Sequence, residues 1–262
     1  MYVDIHSHII PGIDDGAKDA ATALEMLKLA SLDGSRYIVA TPHFTPADFP
    51  DNGGATLDFS GIMNVSDIVN EKTSELIELA AKNNIDINIY PGTEVLIHMD
   101  IPSLLDGNKI CTINGSRYLL VEFPMSNIPL YALEVLYQIQ LKGLIPIISH
   151  PERYSEVVKN CSILEDFVGR GMLVQVNADS LTGRFGRKIQ KTAMKLIKLG
   201  MVHFVASDAH NCESRTPELG KAARRVEKKF GKEIMQTLFC TNGLAVLEDR
   251  VIYSYVQEKG TI

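Results

Sequence analysis

Short apolar runs rich in β-branched residues alternate with longer stretches of helical periodicity along most of the chain. Seven runs have the first character: YVDIHSH (2–8), YIVATPH (37–43), INIYPGTEV (87–95), YLLVEF (118–123), IPIISH (145–150), MLVQVNA (172–178) and VHFVASDAH (202–210). Between them lie segments whose apolar positions recur every three or four residues, such as AATALEMLKLASLDG (20–34), DIVNEKTSELIELAAKNN (67–84), LYALEVLYQIQLKG (130–143) and RKIQKTAMKLIKLG (187–200). Strand followed by helix, repeated, predicts an α/β fold with a parallel sheet. Gly34, Gly143 and Gly200 stand where left-handed caps would close helices before the next strand. One stretch breaks the rhythm: FTPADFPDNGGATLDFSGIMN (44–64) reads as a long loop, of a length often tied to function.

The polar residues fall at informative places. The first run ends at His6 and His8, the second at His43, the third at Glu94, the fourth at Glu122, the fifth at His150 and the seventh at Asp208 and His210. A single His or Glu at a strand end is more often a hydrogen-bonded structural group, but six of seven runs end this way. In a closed parallel barrel all C-terminal strand ends meet on one face, where barrel enzymes place their chemistry. Alternation makes His6 and His8 point the same way, and Asp208 and His210 repeat the spacing. A donor set of imidazoles and carboxylates without thiolate suits Mn²⁺, Fe²⁺ or Zn²⁺. With Asp15 from the DDG loop the candidates number nine, too many for one ion and suited to two or three with a bridging carboxylate. Glu122, on the fourth of seven runs and so near the middle of that face, is the expected bridge.

Composition narrows the function classes. The 262 residues, 45% hydrophobic and 22% charged, suffice for one sizeable core. No uninterrupted apolar stretch is long enough to span a membrane and the N-terminus lacks the pattern of a signal peptide, so a cytoplasmic protein is expected. Cys111, Cys161, Cys212 and Cys240 form no C-x-x-C pair and are expected to be reduced. A net charge of −6 argues against a nucleic-acid partner. The basic run KAARRVEKKFGKE (221–233) has its charges spaced like the wet face of a helix, with Ala222, Val226 and Phe230 on the apolar side.

The series DIHSHIIPGIDDGAKD, ATPHF, PGTEV, YLLVEFP, LKGLIPIISHPER and HFVASDAHN, in this order over most of the chain, resembles the PHP-domain metal-dependent protein-tyrosine phosphatases encoded with bacterial capsule and exopolysaccharide systems. The resemblance implies a distorted (β/α)7 barrel as a single domain over 1–262. It also implies a trinuclear, usually manganese-containing site, with iron or zinc as alternatives. The implied partner is a phosphotyrosine protein, a bacterial tyrosine kinase of polysaccharide export. Carried over position by position, His6, His8, Asp15, His43, Glu94, Glu122, His150, Asp208 and His210 match metal ligands; in DDG it is Asp15, not Asp14, that aligns. Arg153 in HPER and Arg215 in SDAHNCESR match a phosphate-holding pair. Some members end in a basic, aromatic tail, whereas this chain ends in VQEKGTI.

The chemistry of the residues agrees with that activity. Closely spaced divalent ions offset the charge of a phosphate monoester and generate a bound hydroxide for in-line attack, and arginine forks suit the remaining oxygens. The bland reading of Arg153 is an ion pair with Glu152 or Glu156, and that of Arg215 a solvated loop charge. Asp208 or His210 is the candidate proton donor to the leaving oxygen, and Asp4 a candidate acceptor orienting a ligand imidazole.

Two motifs invite other readings. CTINGSR (111–117) matches the C-x5-R signature of cysteine-dependent tyrosine phosphatases, but it leads into a strand rather than a helix, and NG reads as a turn. LTGRFGRK (181–188) resembles a phosphate-binding helix start and equally an ordinary strand-to-helix loop. Three other functions stay open: a PHP phosphatase of a small phosphomonoester such as histidinol phosphate, an amidohydrolase-type C–N hydrolase, and a catalytically silent metal-binding partner protein. The second of these normally has eight strands and often a bridging lysine, and no strand end here offers a Lys. The last would lack ligands, and none is missing. Oligomeric state is not legible in the pattern.

Overall fold

The computed structural model describes residues 1–45 and 64–252. Most of the 44–64 loop and the VQEKGTI terminus therefore lie outside the described residues. The seven runs become nine parallel strands: β1 (Tyr2–Ser7), β2 (Ser35–Ala40), β3 (His43–Phe44), β4 (Asn88–Pro91), β5 (Glu94–Leu96), β6 (Tyr118–Glu122), β7 (Ile145–Ile148), β8 (Leu173–Asn177) and β9 (Phe204–Ala206). The extra two arise because the second and third runs each break in the middle. Pro42 has no N–H to give a ladder, and the break after β2 lies beside the break after β4, where Ala40 pairs with Pro91 and pairing resumes at His43 with Glu94. One sheet has the order β1-β2-β4 and the other β3-β5-β6-β7-β8-β9.

The sheet curls until its end meets its start. Asp208 N–H donates to the His6 carbonyl at 2.9 Å, His8 N–H donates to the Ala209 carbonyl at 2.8 Å, and Ser7 bridges Ala209. Strand order thus follows chain order around a distorted seven-run barrel, as expected from the sequence.

Eleven α-helical segments connect and cover the strands among the described residues: α1 (Ala20–Asp33), α2 (Val65–Lys82), α3 (Ile101–Asp106), α4 (Ala132–Leu141), α5 (Ser155–Lys159), α6 (Ile163–Gly169), α7 (Ala178–Thr182), α8 (Arg187–Lys198), α9 (Gly220–Phe230), α10 (Lys232–Gln236) and α11 (Asn242–Leu247). Helix α1 starts where the Asp19 side chain accepts from Thr22 N–H at 2.8 Å, and it stops at Gly34, whose φ of 108° only glycine adopts freely. Its buried residues, Ala23, Met26, Leu27 and Ala30, follow the helical repeat.

Alternation along the strands divides the apolar side chains between two cores. Val3, Ile5, Val39, Leu120, Ile147, Leu173 and Phe204 fill the barrel interior together with Val246 of α11. Leu119, Val121, Ile148, Val174, Val176 and Val205 face outward against the helices. Each fully buried side chain of this size contributes roughly 1.5–3 kcal/mol. The barrel is therefore a packed solid, and polar groups are left to its C-terminal rim.

Candidate metal centre

All nine candidates reach that rim, and eight of them form three overlapping groups of donor atoms. His8, Asp15, His43 and His210 make one, His6, His8, Glu94 and Asp208 a second, and His43, Glu94 and Glu122 a third; in each, one donor atom per residue lies within 4.8 Å of all the others. His150 joins them, its Nε2 lying 3.1 Å from Glu94 Oε1 and 3.5 Å from Glu122 Oε1. His8, His43 and Glu94 each belong to two groups.

The carboxylate common to two donor groups is Glu94, whereas Glu122, the expected bridge, belongs to one. Glu94 Oε2 lies 3.1 Å from His6 Nε2, 3.4 Å from His8 Nε2 and 3.2 Å from His43 Nδ1, while its Oε1 faces His150. Glu122 stands at the edge, 3.9 Å from His43 Nδ1 and partly exposed. The reason is the break in the third run: with β4 and β5 separate, Glu94 opens a new strand between β3 and β6 and projects into the centre.

The ring orientations fit a metal. The Nδ1–H of His6 donates to Gln175 Oε1 at 3.0 Å, that of His8 to Asp14 Oδ2 at 2.7 Å, and that of His210 to the Asp208 carbonyl at 3.0 Å. Each acceptor holds its ring in place and turns Nε2 toward the centre. The Nε2 atoms of His6 and His8 meet at 3.1 Å. Both oxygens of Glu94, Asp208 Oδ1 and His210 Nε2 are buried and face only imidazoles, a carboxylate or the Arg215 guanidinium at ion-pair distance, and His150 Nδ1 is buried without a hydrogen-bond partner. Buried polar atoms so left cost free energy unless a cation takes them up. The donor set, imidazole and carboxylate without sulfur, fits a borderline or hard divalent ion.

Charge is distributed unevenly among the carboxylates. Burial alone would raise Glu94, but His6, His150 and His8 hold it well below its ordinary value. Burial, then Glu94 and Asp208, push Glu122 well above it. Asp208 is opposed by burial yet held low by His6 and Arg215. Burial pushes His43 and His150 down to about 4, with His8 adding to the effect on His43, so both are neutral donors near pH 7.

Several orienting residues lie in places where ligand counting does not look. Asp14 holds His8 and also accepts from His43 N–H at 3.0 Å. Gly16 in the same DDG sequence packs against His8 so closely that a Cβ there would overlap the His8 carbonyl and side chain. The sixth run, the one without an ionisable end, supplies amides: Gln175 for His6, and Asn177, whose Nδ2 donates to Asp208 Oδ2 at 2.6 Å. Asp4 touches no imidazole, contrary to expectation; it accepts from Ser207 N–H at 2.9 Å and Ser207 Oγ at 2.5 Å, fixing the residue before Asp208. His150 and Asp208 themselves adopt φ of 31° and 54°, strain for non-glycine residues that concentrates at functional sites.

The two arginines converge from the mouth. Arg153 Nη1 lies 3.0 Å from Asp208 Oδ2 and its guanidinium lies 4.9 Å over the Phe185 ring; Arg215 Nη2 lies 2.7 Å from Asp208 Oδ1. Neither bland reading holds. Glu152 is buried away from Arg153, its Oε1 accepting from Asn177 N–H at 2.9 Å and Ser180 Oγ at 2.5 Å, and burial pushes it up to about 7. Arg215 is presented by a tight loop in which Asn211 Oδ1 accepts from the N–H groups of Glu213, Ser214 and Arg215, while the Arg215 carbonyl accepts from His210 N–H. So engaged, Asp208 accepts from both arginines and from Asn177.

The CTINGSR motif builds no anion site. Arg117 is forked onto Asp249, Nε to Oδ1 at 2.9 Å and Nη2 to Oδ2 at 3.2 Å, and burial pushes the Cys111 thiol up to about 11. Asn114 and Gly115 have left-handed φ, as the turn reading requires. Cys111, Cys161, Cys212 and Cys240 are all free.

A family model described as "Capsular polysaccharide synthesis, CpsB/CapC" matches residues 2–248. The chain is 35% identical over 251 residues to the tyrosine-protein phosphatase YwqE of Bacillus subtilis, covering 96% of this chain and 93% of that protein. It is 29% identical over 255 residues to the tyrosine-protein phosphatase CpsB of Streptococcus pneumoniae, covering 95% and 100%. A crystal structure from work on YwqE and CpsB, described there as unique metal-dependent tyrosine phosphatases, has a TM-score of 0.87 and 35% identity, with 96% of each chain covered.

Proposed function

The chain belongs to the capsular polysaccharide synthesis family CpsB/CapC, and from that premise we propose that it is a metal-dependent protein-tyrosine phosphatase. The observation that carries this reading is the set of three donor groups sharing His8, His43 and Glu94 beneath two converging arginines. Mn²⁺ is the proposed ion, in two or three positions held by His6, His8, Asp15, His43, Glu94, Glu122, His150, Asp208 and His210, with Glu94 as the common carboxylate. Bound divalent ions would supply charge neutralisation and an activated water.

The protein's own groups do the rest. Arg153 and Arg215 hold phosphate oxygens through paired N–H donors, and Asp208, with Asn177 behind it, keeps both forks aimed at the mouth. His210 is the proposed proton donor to the tyrosyl oxygen only in a state in which no ion engages its Nε2, which lies 3.3 Å from Asp15 Oδ1. The proposed substrate is a phosphotyrosine protein, a bacterial tyrosine kinase of polysaccharide export. Such a kinase uses ATP, so the cytoplasm is the proposed place of the encounter. No helix among the described residues is long and apolar enough to cross a membrane.

The test pairs metal content by mass spectrometry, on protein purified without chelator, with hydrolysis of a phosphotyrosyl peptide. Two or three equivalents of metal and activity that chelator abolishes and Mn²⁺ restores are expected. Full activity after prolonged incubation in excess chelator refutes the reading.

A further inference from the structure

Beside the site mouth lies a surface that the hydrolysis of phosphotyrosine does not explain. Arg153, which reaches Asp208, also lines a groove of about 390 Å³ together with Lys159, Phe185, Arg187 and Lys188. A second groove of about 390 Å³ follows along α8, lined by Lys191, Lys195 and Lys198 from that helix and by Arg225 and Lys229 from α9. Helix α8 joins the two, its 12 residues spanning about 18 Å. No residue lining either groove carries a carboxylate. Lys159, Arg187, Lys188 and the five basic residues of the second groove are exposed, and none forms an ion pair within the described residues.

This arrangement is costly to leave uncompensated. The chain as a whole carries −6, yet one ridge concentrates eight basic side chains whose mutual repulsion no groove-lining carboxylate offsets. Elsewhere exposed charges are interspersed with partners, as in Lys72 with Glu75, Lys82 with Glu78 and Arg170 with Asp166. Arg187 and Lys188 also occupy the first turn of α8, where positive charge gains nothing from the helix dipole.

We propose that the ridge from Arg153 along α8 to α9 is the docking surface for an acidic segment adjoining the phosphotyrosine of the protein substrate. The proposal rests on the phosphatase reading above and adds the substrate class it selects. Three features favour an extended acidic chain. The first groove begins at Arg153, which also reaches Asp208, so a segment of the substrate chain next to the phosphotyrosine can enter it. Both grooves are concave, and a ridge of about 18 Å accommodates about five or six extended residues. Complementary charge would mainly speed encounter and lower KM, leaving the chemical step alone.

The experiment uses the metal-loaded enzyme and three phosphotyrosyl peptides with acidic, neutral or basic flanks, each prepared with the flank on either side. Turnover of p-nitrophenyl phosphate, which has no flank, is followed in parallel, and binding is read by fluorescence anisotropy. At low salt the acidic flank on one side should lower KM about tenfold or more against the neutral one, with kcat little changed and the advantage shrinking as salt rises. The double variant Arg187→Glu/Lys188→Glu and the triple variant Lys191→Glu/Lys195→Glu/Lys198→Glu should lose or invert that preference while turning over p-nitrophenyl phosphate within about twofold of wild type. Equal KM for acidic and neutral peptides, or a preference that survives both variants, overturns the proposal. So does binding to anionic phosphatidylglycerol vesicles through the ridge without any peptide preference, which would assign it to a membrane surface. If the acidic peptide binds through the ridge but neither phosphotyrosine nor p-nitrophenyl phosphate is hydrolysed, it is the phosphatase reading that fails and the docking surface stands.

Discussion

Two regions of this chain carry a phosphatase signature, and they differ in what surrounds them. At the barrel rim, donors from β1, β3, β5, β6, β7 and β9 converge, their imidazoles are held by Gln175, Asp14 and a backbone carbonyl, and buried carboxylate oxygens are turned toward the imidazoles. In CTINGSR the cysteine and arginine have the right sequence spacing, but the arginine is consumed by Asp249 and the thiol is pushed up to about 11. A reactive thiolate needs an environment that favours charge, and Cys111 lies buried. Spacing alone therefore carries little weight beside the question of which polar groups are left facing a ligand.

Replacing Glu94 by Gln should break the rim most deeply. It removes the carboxylate common to two donor groups, so at least two ions should lose occupancy and kcat/KM should fall more than about 10³-fold. Glu122→Gln should deplete a single position with a smaller loss. Anomalous scattering on crystals of both variants would separate them; three full ions in Glu94→Gln would return the bridging role to Glu122.

Arg153→Ala and Arg215→Ala should each reduce kcat/KM by about 10²-fold with metal content intact, and lysine at either position should restore little. Unchanged kinetics in both would remove the arginine clamp from the account. Asp14→Asn should act through His8, whose Nδ1–H it holds at 2.7 Å, and lower metal affinity about 10- to 100-fold. Metal titration by calorimetry checks this, and an unchanged affinity would make Asp14 merely a loop residue.

The smallest effect belongs to the other region. Cys111→Ser should leave turnover within about twofold. With the folded thiol at about 11, the thiolate is scarce at pH 7 and gains population only as pH rises toward that value. Alkylation by iodoacetamide should accordingly be slow near neutrality and faster in alkali, without tracking activity. Loss of activity in Cys111→Ser at unchanged metal content would reverse the comparison between the two regions.

Much of the rim was legible because ligand chemistry is local. HSH, TPH, TEV, VEF, ISH and SDAH each announce a donor at the end of an apolar run, and alternation alone predicts that His6 and His8 share a face. Less visible were residues whose role depends on a partner far along the chain. Gln175 is 169 positions from the imidazole it orients, and Asp4 is 203 positions from the serine it holds. Gln175 carries no mark that separates it from an ordinary strand residue, and Asp4 announces a carboxylate without announcing its partner.

What the sequence by itself determined is the class of fold, the order of the strands and the inventory of donors, because hydrophobic periodicity and strand-end position act over a few neighbouring residues. Only the tertiary structure decided which carboxylate is shared, where Arg153 points and what becomes of Asp208. The side-by-side breaks at Thr41–Pro42 and Gly92–Thr93 shift Glu94 into the centre, and that displacement arises from how β2 and β4 pair. Arg153 reaches Asp208 across 55 positions rather than its neighbour Glu152, because burial and the hydrogen bonds from Asn177 and Ser180 turn Glu152 away. Competition among partners for one charged group is settled by distances and desolvation in the folded chain, and neither is encoded in the spacing of residues along it.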